Sequence, residues 1–195
     1  MKRIFRILTL VSLVSMLACE SRRESDSDNE DSKEVAEDAN DEKFKDNDLE
    51  KDADFVANTV AANYGEIKFA QLANKRSANP EVKRVASMLV EEHTKTLNEL
   101  KTLAQAKTIS VPVEEDDEAK RKTERFSDEA GKDFDKKWCK EMIDRHEESI
   151  NNFEKRMEKT EDPELKSWIS NTLPHLRMHL EKLNACHASI KDSNS

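Results

Sequence analysis

Glycine and proline are scarce in this chain: its 195 residues include 2 and 4 of them. So few glycines exclude an all-β fold built on many tight turns. Aromatic residues make up only 5%, and no segment joins them to a basic patch, so nothing suggests a nucleic-acid surface. There is no Ser-His-Asp order, no P-loop and no Gly-rich phosphate loop. "EEDD" at 114–117 lacks the spacing and glycine of an EF-hand and reads as a solvated loop. With no catalytic constellation legible, the chain reads as a binding or structural protein before an enzyme. Long apolar runs are missing too. The longest, "ILTLVSLVSML", has eleven residues, whereas crossing a bilayer takes about 20.

What is abundant is charge. Asp, Glu, Lys and Arg make up 38% of the chain, with a net charge of −9. A charged composition rich in Ala, Leu, Lys and Glu predicts long helices. The length suits one domain.

The first eighteen residues read as a signal peptide: basic "MKRIFR", then the short apolar run. The run ends in "MLAC", which resembles the lipobox of bacterial lipoproteins, with Met16 in place of the usual leucine. The resemblance implies cleavage before Cys19 and lipid on that residue, which would anchor an otherwise soluble chain to a membrane. Ordinary secretion is the alternative. From Glu20 to Lys51 there are 14 acids and 6 bases with almost no apolar residues. Residues 19–51 therefore read as a lipidated cysteine followed by a disordered, solvated tether.

From 52 to 191 the pattern is helical, with 192–195 as a tail. The first predicted helix runs from about Asp52 to Lys75 with the stripe Phe55, Thr59, Ala62, Glu66, Phe69, Ala73. Asn79 and Pro80 are a good cap and first residue for the second, which carries Val82, Ala86, Leu89, His93, Thr96, Leu100 and Leu103. The third starts near Asp133 and carries Phe134, Trp138, Met142, His146, Ile150, Phe153 and Met157. Asp162 and Pro163 repeat the start signal for the fourth, with Leu165, Ile169, Thr172, Leu176, His179, Leu183 and Ile190. Short turns make two antiparallel hairpins. The connection of about 25 residues between the second and third helices has room for a short exposed helix. It is long enough to cross the bundle, as in ferritin-like four-helix folds.

Register then brings polar residues together. In an antiparallel hairpin, residues equidistant from the turn lie at one height. Glu66 pairs with His93 in the first hairpin; His146 pairs with His179, and Cys139 with Cys186, in the second. At 1.5 Å per residue the two levels lie ~20 and ~25 Å from their turns, so Glu66, His93, His146 and His179 are expected to converge inside the bundle. Three imidazoles and a carboxylate suit Zn²⁺, Cu²⁺ or Fe²⁺; a hydrogen-bonded polar network is the alternative. Cys139 and Cys186 are placed for a disulfide, with free thiols as the alternative. His175, four residues before His179, falls level with Ile150. Pro174 leaves the Ser170 carbonyl without its helical donor and predicts a local bend.

"DADFVANTVAANYGEIKFAQLA", "NPEVKRVASMLVEEHTKTLNEL", "GKDFDKKWCKEMIDRHEESINNF" and "LPHLRMHLEKL" together resemble an exported bacterial family, domain of unknown function 4142. The likeness covers about Asp52 to Ser189. It implies a ferritin-like bundle in an envelope protein, commonly of the outer membrane, and supplies no activity. The residues three before His93, His146 and His179 are Val90, Ile143 and Leu176, so the Glu-x-x-His of di-iron sites is missing. Three readings follow: a lipid-anchored binding or structural module, a metal- or redox-active bundle, and a partner-binding stress factor. The sequence names neither a partner protein nor an oligomeric state. Replacing Cys19 with Ala is expected to move the protein from the membrane to the soluble fraction; unchanged fractionation would count against the anchor.

Overall fold

The computed structural model describes residues 31–192, and its six elements are all α-helices. The signal segment, Cys19, residues 20–30 and the final three residues lie outside the described part. The helices are α1 (Ser32–Lys43), α2 (Asn47–Arg76), α3 (Pro80–Ala106), α4 (Asp117–Ser127), α5 (Gly131–Lys159) and α6 (Pro163–Asp192). Among the described residues no helix is long and apolar enough to cross a membrane.

The start signals act as the sequence predicts. Asn79 Oδ1 accepts from the Glu81 amide at 2.9 Å with Pro80 opening α3. Asp162 Oδ1 accepts from Glu164 and Leu165 at 2.9 and 3.0 Å beside Pro163. Each cap satisfies amides that have no partner within the helix. α6 continues through Pro174. The long connection carries α4 in its second half, with no residue of that helix buried.

The four long helices form a ring of contacts: α2 packs on α3 and α5, and α6 packs on α5 and α3. Two apolar clusters fill it. One gathers Phe69, Leu89, Trp138, Met142 and Leu183. The other gathers Val60, Leu97, Phe153, Ile169 and Leu176. Buried polar residues of every long helix fall between them: Asn63 and Glu66 between Val60 and Phe69, His93 between Leu89 and Leu97, His146 between Met142 and Phe153, and His179 between Leu176 and Leu183. The core is thus two dry layers with a polar layer between.

Two sequence expectations need correction. Ala62 is exposed rather than part of the inward stripe; Val56, Ala57, Val60 and Ala61 are buried instead. The second half of the expected tether is folded. Residues 32–43 and 47–51 are helical, and Ala36 and Asn40 are buried. Composition misled because α1, with little apolar surface to bury beyond Ala36, is also held by specific hydrogen bonds. Asp31 caps α1 through the Lys33 amide at 2.9 Å and accepts from the Asp117 amide of α4 at 2.9 Å. Asn40 clamps Ser110 on both sides, donating to its carbonyl at 2.9 Å and accepting from its amide at 2.7 Å. The chain reaches that clamp through Thr108, whose φ of 57° costs an ordinary residue roughly 1–2 kcal/mol.

Gly65 explains how α4 lies so close. A Cβ there would meet the Ala119 Cβ of α4 at 3.0 Å. Phe126 of α4 then rests edge-on against Phe69, ring centres 4.8 Å apart. Replacing Asn40 with Ala leaves the Ser110 amide and carbonyl unmet, a loss of about 1–3 kcal/mol. Hydrogen exchange should accelerate over 32–43 first; an unchanged exchange profile would refute the clamp.

Candidate metal centre

Glu66, His93, His146 and His179, one from each long helix, are all buried, from 5% exposed for Glu66 to 0% for His146. The predicted convergence of three histidines is found. One ring nitrogen from each of His93, His146 and His179 lies within 4.8 Å of the others. His146 Nε2 is 3.3 Å from His93 Nε2 and 3.4 Å from His179 Nδ1. Glu66 Oε2 approaches His93 Nε2 at 3.0 Å. It stands at the edge of the three-imidazole set rather than within it.

The outward side of each ring settles its tautomer. His146 Nδ1 lies 2.8 Å from the Met142 carbonyl, which only accepts, so Nδ1 carries the proton. His179 Nε2 lies 2.9 Å from Glu92 Oε2, so Nε2 carries it. His93 Nδ1 lies 3.0 Å from Asn63 Oδ1. The Asn63 amide is oriented by its Nδ2, which donates to the Thr59 carbonyl at 2.8 Å. In the neutral rings the three inward nitrogens therefore all carry lone pairs. Three lone pairs and a carboxylate oxygen face one another with no donor among them.

Such a set is repulsive until a positive charge enters. A tetrahedral ion with nitrogen ligands at ~2.0–2.1 Å has ligand–ligand edges of about 3.3 Å. Two of the three imidazole edges, 3.3 and 3.4 Å, match that figure, and the third lies within 4.8 Å. Outer acceptors on each ring are what a metal-binding histidine requires. Burial, only partly offset by Glu66, pushes His93 down to about 4. Burial likewise lowers His179 against the opposing hydrogen bond from Glu92. For Glu66, burial would raise the carboxyl, but His93, His146, Arg145 and His179 together hold it below its ordinary value. These directions favour unprotonated His93 and His179 and an ionised Glu66 at neutral pH.

Access runs past Glu66. A groove of about 370 Å³ ends on Glu66 and His93 and extends to Phe55, Phe153 and Arg156. A second cavity of about 410 Å³ meets it at Glu66 and is lined by Asp116, Glu118, Glu141, Asp144 and Glu148 with Lys122 and Arg145.

Sequence reasoning missed Glu92, Asn63 and the Met142 carbonyl. Glu92 holds both α6 histidines, accepting from His179 and lying 3.3 Å from His175 Nδ1. His175 is exposed and does not reach the inward set. The spacing of four between His175 and His179 was the available signal, because both rings meet one acid of α3. Cys139 and Cys186 lie level, with sulfurs 3.5 Å apart. The hydrogen bond to Cys186, with burial, pushes the Cys139 thiol up.

These features define an all-helical protein with a buried polar layer of three histidines and a glutamate. The model of a family described as Domain of unknown function (DUF4142) matches residues 33–186, and the chain belongs to that family. The match begins inside α1, earlier than the resemblance read from the sequence. No curated protein matches the chain. No solved structure matches it either.

In the metal-free protein, unfolded histidines bind protons near pH 6.5 while His93 resists them until about 4. The unfolded state therefore takes up more protons over that window, and stability falls as pH drops from about 6.5 to about 4. The His93 share reaches up to ~3 kcal/mol. Denaturation midpoints from pH 7 to 4 check this, and His93→Gln should flatten the slope.

Proposed function

We propose that the protein is a metal-binding module in which His93, His146 and His179 hold one divalent transition-metal ion. Glu66 approaches as the fourth ligand or faces the ion across a bound water. The observation that carries this is the convergence of three imidazole lone pairs, each ring fixed from behind by a different acceptor. Neutral imidazoles with one carboxylate suit Zn²⁺, and also Cu²⁺ or Fe²⁺. A two-iron site is disfavoured, because the carboxylates that bridge and cap such pairs have no counterpart at Val90, Ile143 and Leu176.

The setting we propose is a ferritin-like four-helix bundle with the long connection crossing it, held at the cell envelope by lipid on Cys19. The ring of contacts among α2, α3, α5 and α6 and the "MLAC" segment support that setting. Without metal, the same groups would make a structural network anchored by the outer hydrogen bonds of the three rings.

Metal content separates the two. Untagged protein from its native envelope is expected to carry one ion per chain. Chelation should lower the melting temperature and refilling should restore it, since a ligand at 100 times its Kd stabilises by about 2.7 kcal/mol. His146→Ala should abolish stoichiometric binding, and Glu66→Gln should weaken it. Melting indifferent to chelator and metal, with no stoichiometric ion, would leave only the structural network.

A further inference from the structure

The far end of the groove holds a second incomplete polar constellation. Arg156 is 7% exposed and lines the groove. Its Nε forms a buried ion pair with Asp52 Oδ1 at 2.7 Å. Arg156 Nη2 has no hydrogen-bond partner at all. Asp52 is better served on its other oxygen, which accepts from Thr160 at 2.8 Å. A buried guanidinium with Nη2 unused is a recognition group for an oxyanion, because its planar fork matches a carboxylate.

The surroundings narrow the class. Lys155 and Lys159 add two exposed cations at the same end. Between Arg156 and Glu66 the wall includes Phe55 and Phe153, packed edge to face at 5.1 Å, and Leu176. Hydroxyls and amides from Thr59, Thr172 and Asn152 complete it. A volume of about 370 Å³ lies within the usual size of small-molecule sites, roughly 300–1,000 Å³. Asp52 balances the guanidinium, so the excess positive charge at this end is that of the exposed Lys155 and Lys159, and Asp52 disfavours a dianion.

We propose that this groove binds a small organic monocarboxylate, its head on Arg156 and its apolar body against Phe55 and Phe153. The site does not depend on the metal. Ten residues of α5 separate Arg156 from His146, ~15 Å along the helix. The two readings can therefore fail separately.

Calorimetric titration of the full chain, metal-free and metal-loaded, with benzoate, phenyl phosphate and benzylamine tests it. Benzoate is expected to saturate at one per chain in both forms. Phenyl phosphate should bind more weakly, and benzylamine should not saturate. Lys155→Gln with Lys159→Gln should cost about threefold in benzoate affinity. Arg156→Gln should cost more than about tenfold. Because that variant leaves Asp52 buried and unpaired, Asp52→Asn with Arg156→Gln provides a second variant with the pair replaced by amides, and it should lose benzoate equally. No saturable benzoate binding, equal binding of all three probes, tighter phenyl phosphate, or full affinity in the double variant would each overturn the proposal.

Discussion

Lone pairs cannot be packed against lone pairs inside a protein unless a cation or a hydrogen-bond donor lies between them. That constraint organises this molecule. His93, His146 and His179 each spend their one neutral N–H on an acceptor behind the ring. What remains points inward, toward a carboxylate oxygen. Burial lowers the pKa of His93 and His179, and buried groups of this kind are stabilised only when paired or metal-bound. The apolar layers on either side keep the polar layer in low dielectric, where such interactions are strongest.

The smaller helices serve this layer. α4 lies against α2 at Gly65, one residue from Glu66, where any larger residue would hold it off. α1 is bound to the same connection through Asn40 and Asp31. The two cavities meeting at Glu66 differ in sign: acids dominate one, and Lys155, Arg156 and Lys159 the far end of the other. Glu66, less covered than the three histidines of the polar layer, is therefore the point where both solvent-facing surfaces converge.

Much of this was legible in the sequence. Asn79–Pro80 and Asp162–Pro163 fixed two helix starts, and counting from those turns paired His146 with His179 and Cys139 with Cys186 at correct heights. The counting works because hairpin register depends only on the rise per residue. Three things were not legible. α1 looked disordered because its stability comes from the Asn40 clamp on Ser110, seventy residues away, which no local composition reports. Ala62 looked buried because a single stripe describes one contact face, whereas α2 touches α1, α3, α4 and α5. Glu92 looked like an arbitrary residue before His93, because the sequence does not show which way a flanking acid turns. Its role appears only once α6 is laid beside α3.

The polar layer also acts as a ruler. Apolar layers oppose a sliding helix through shape and burial alone. Such a slide moves a side chain by about 1.5 Å along its axis and about 100° around it. On α3 it would bring Glu92 or Thr94 to the place of His93 and withdraw the ring from Asn63. On α6 it would break the reach from His179 to Glu92. Four helices contribute to one small polyhedron, and three of its vertices are held from behind at hydrogen-bond distance. The polar layer thereby adds hydrogen-bond distances to burial as a constraint on the alignment of the long helices.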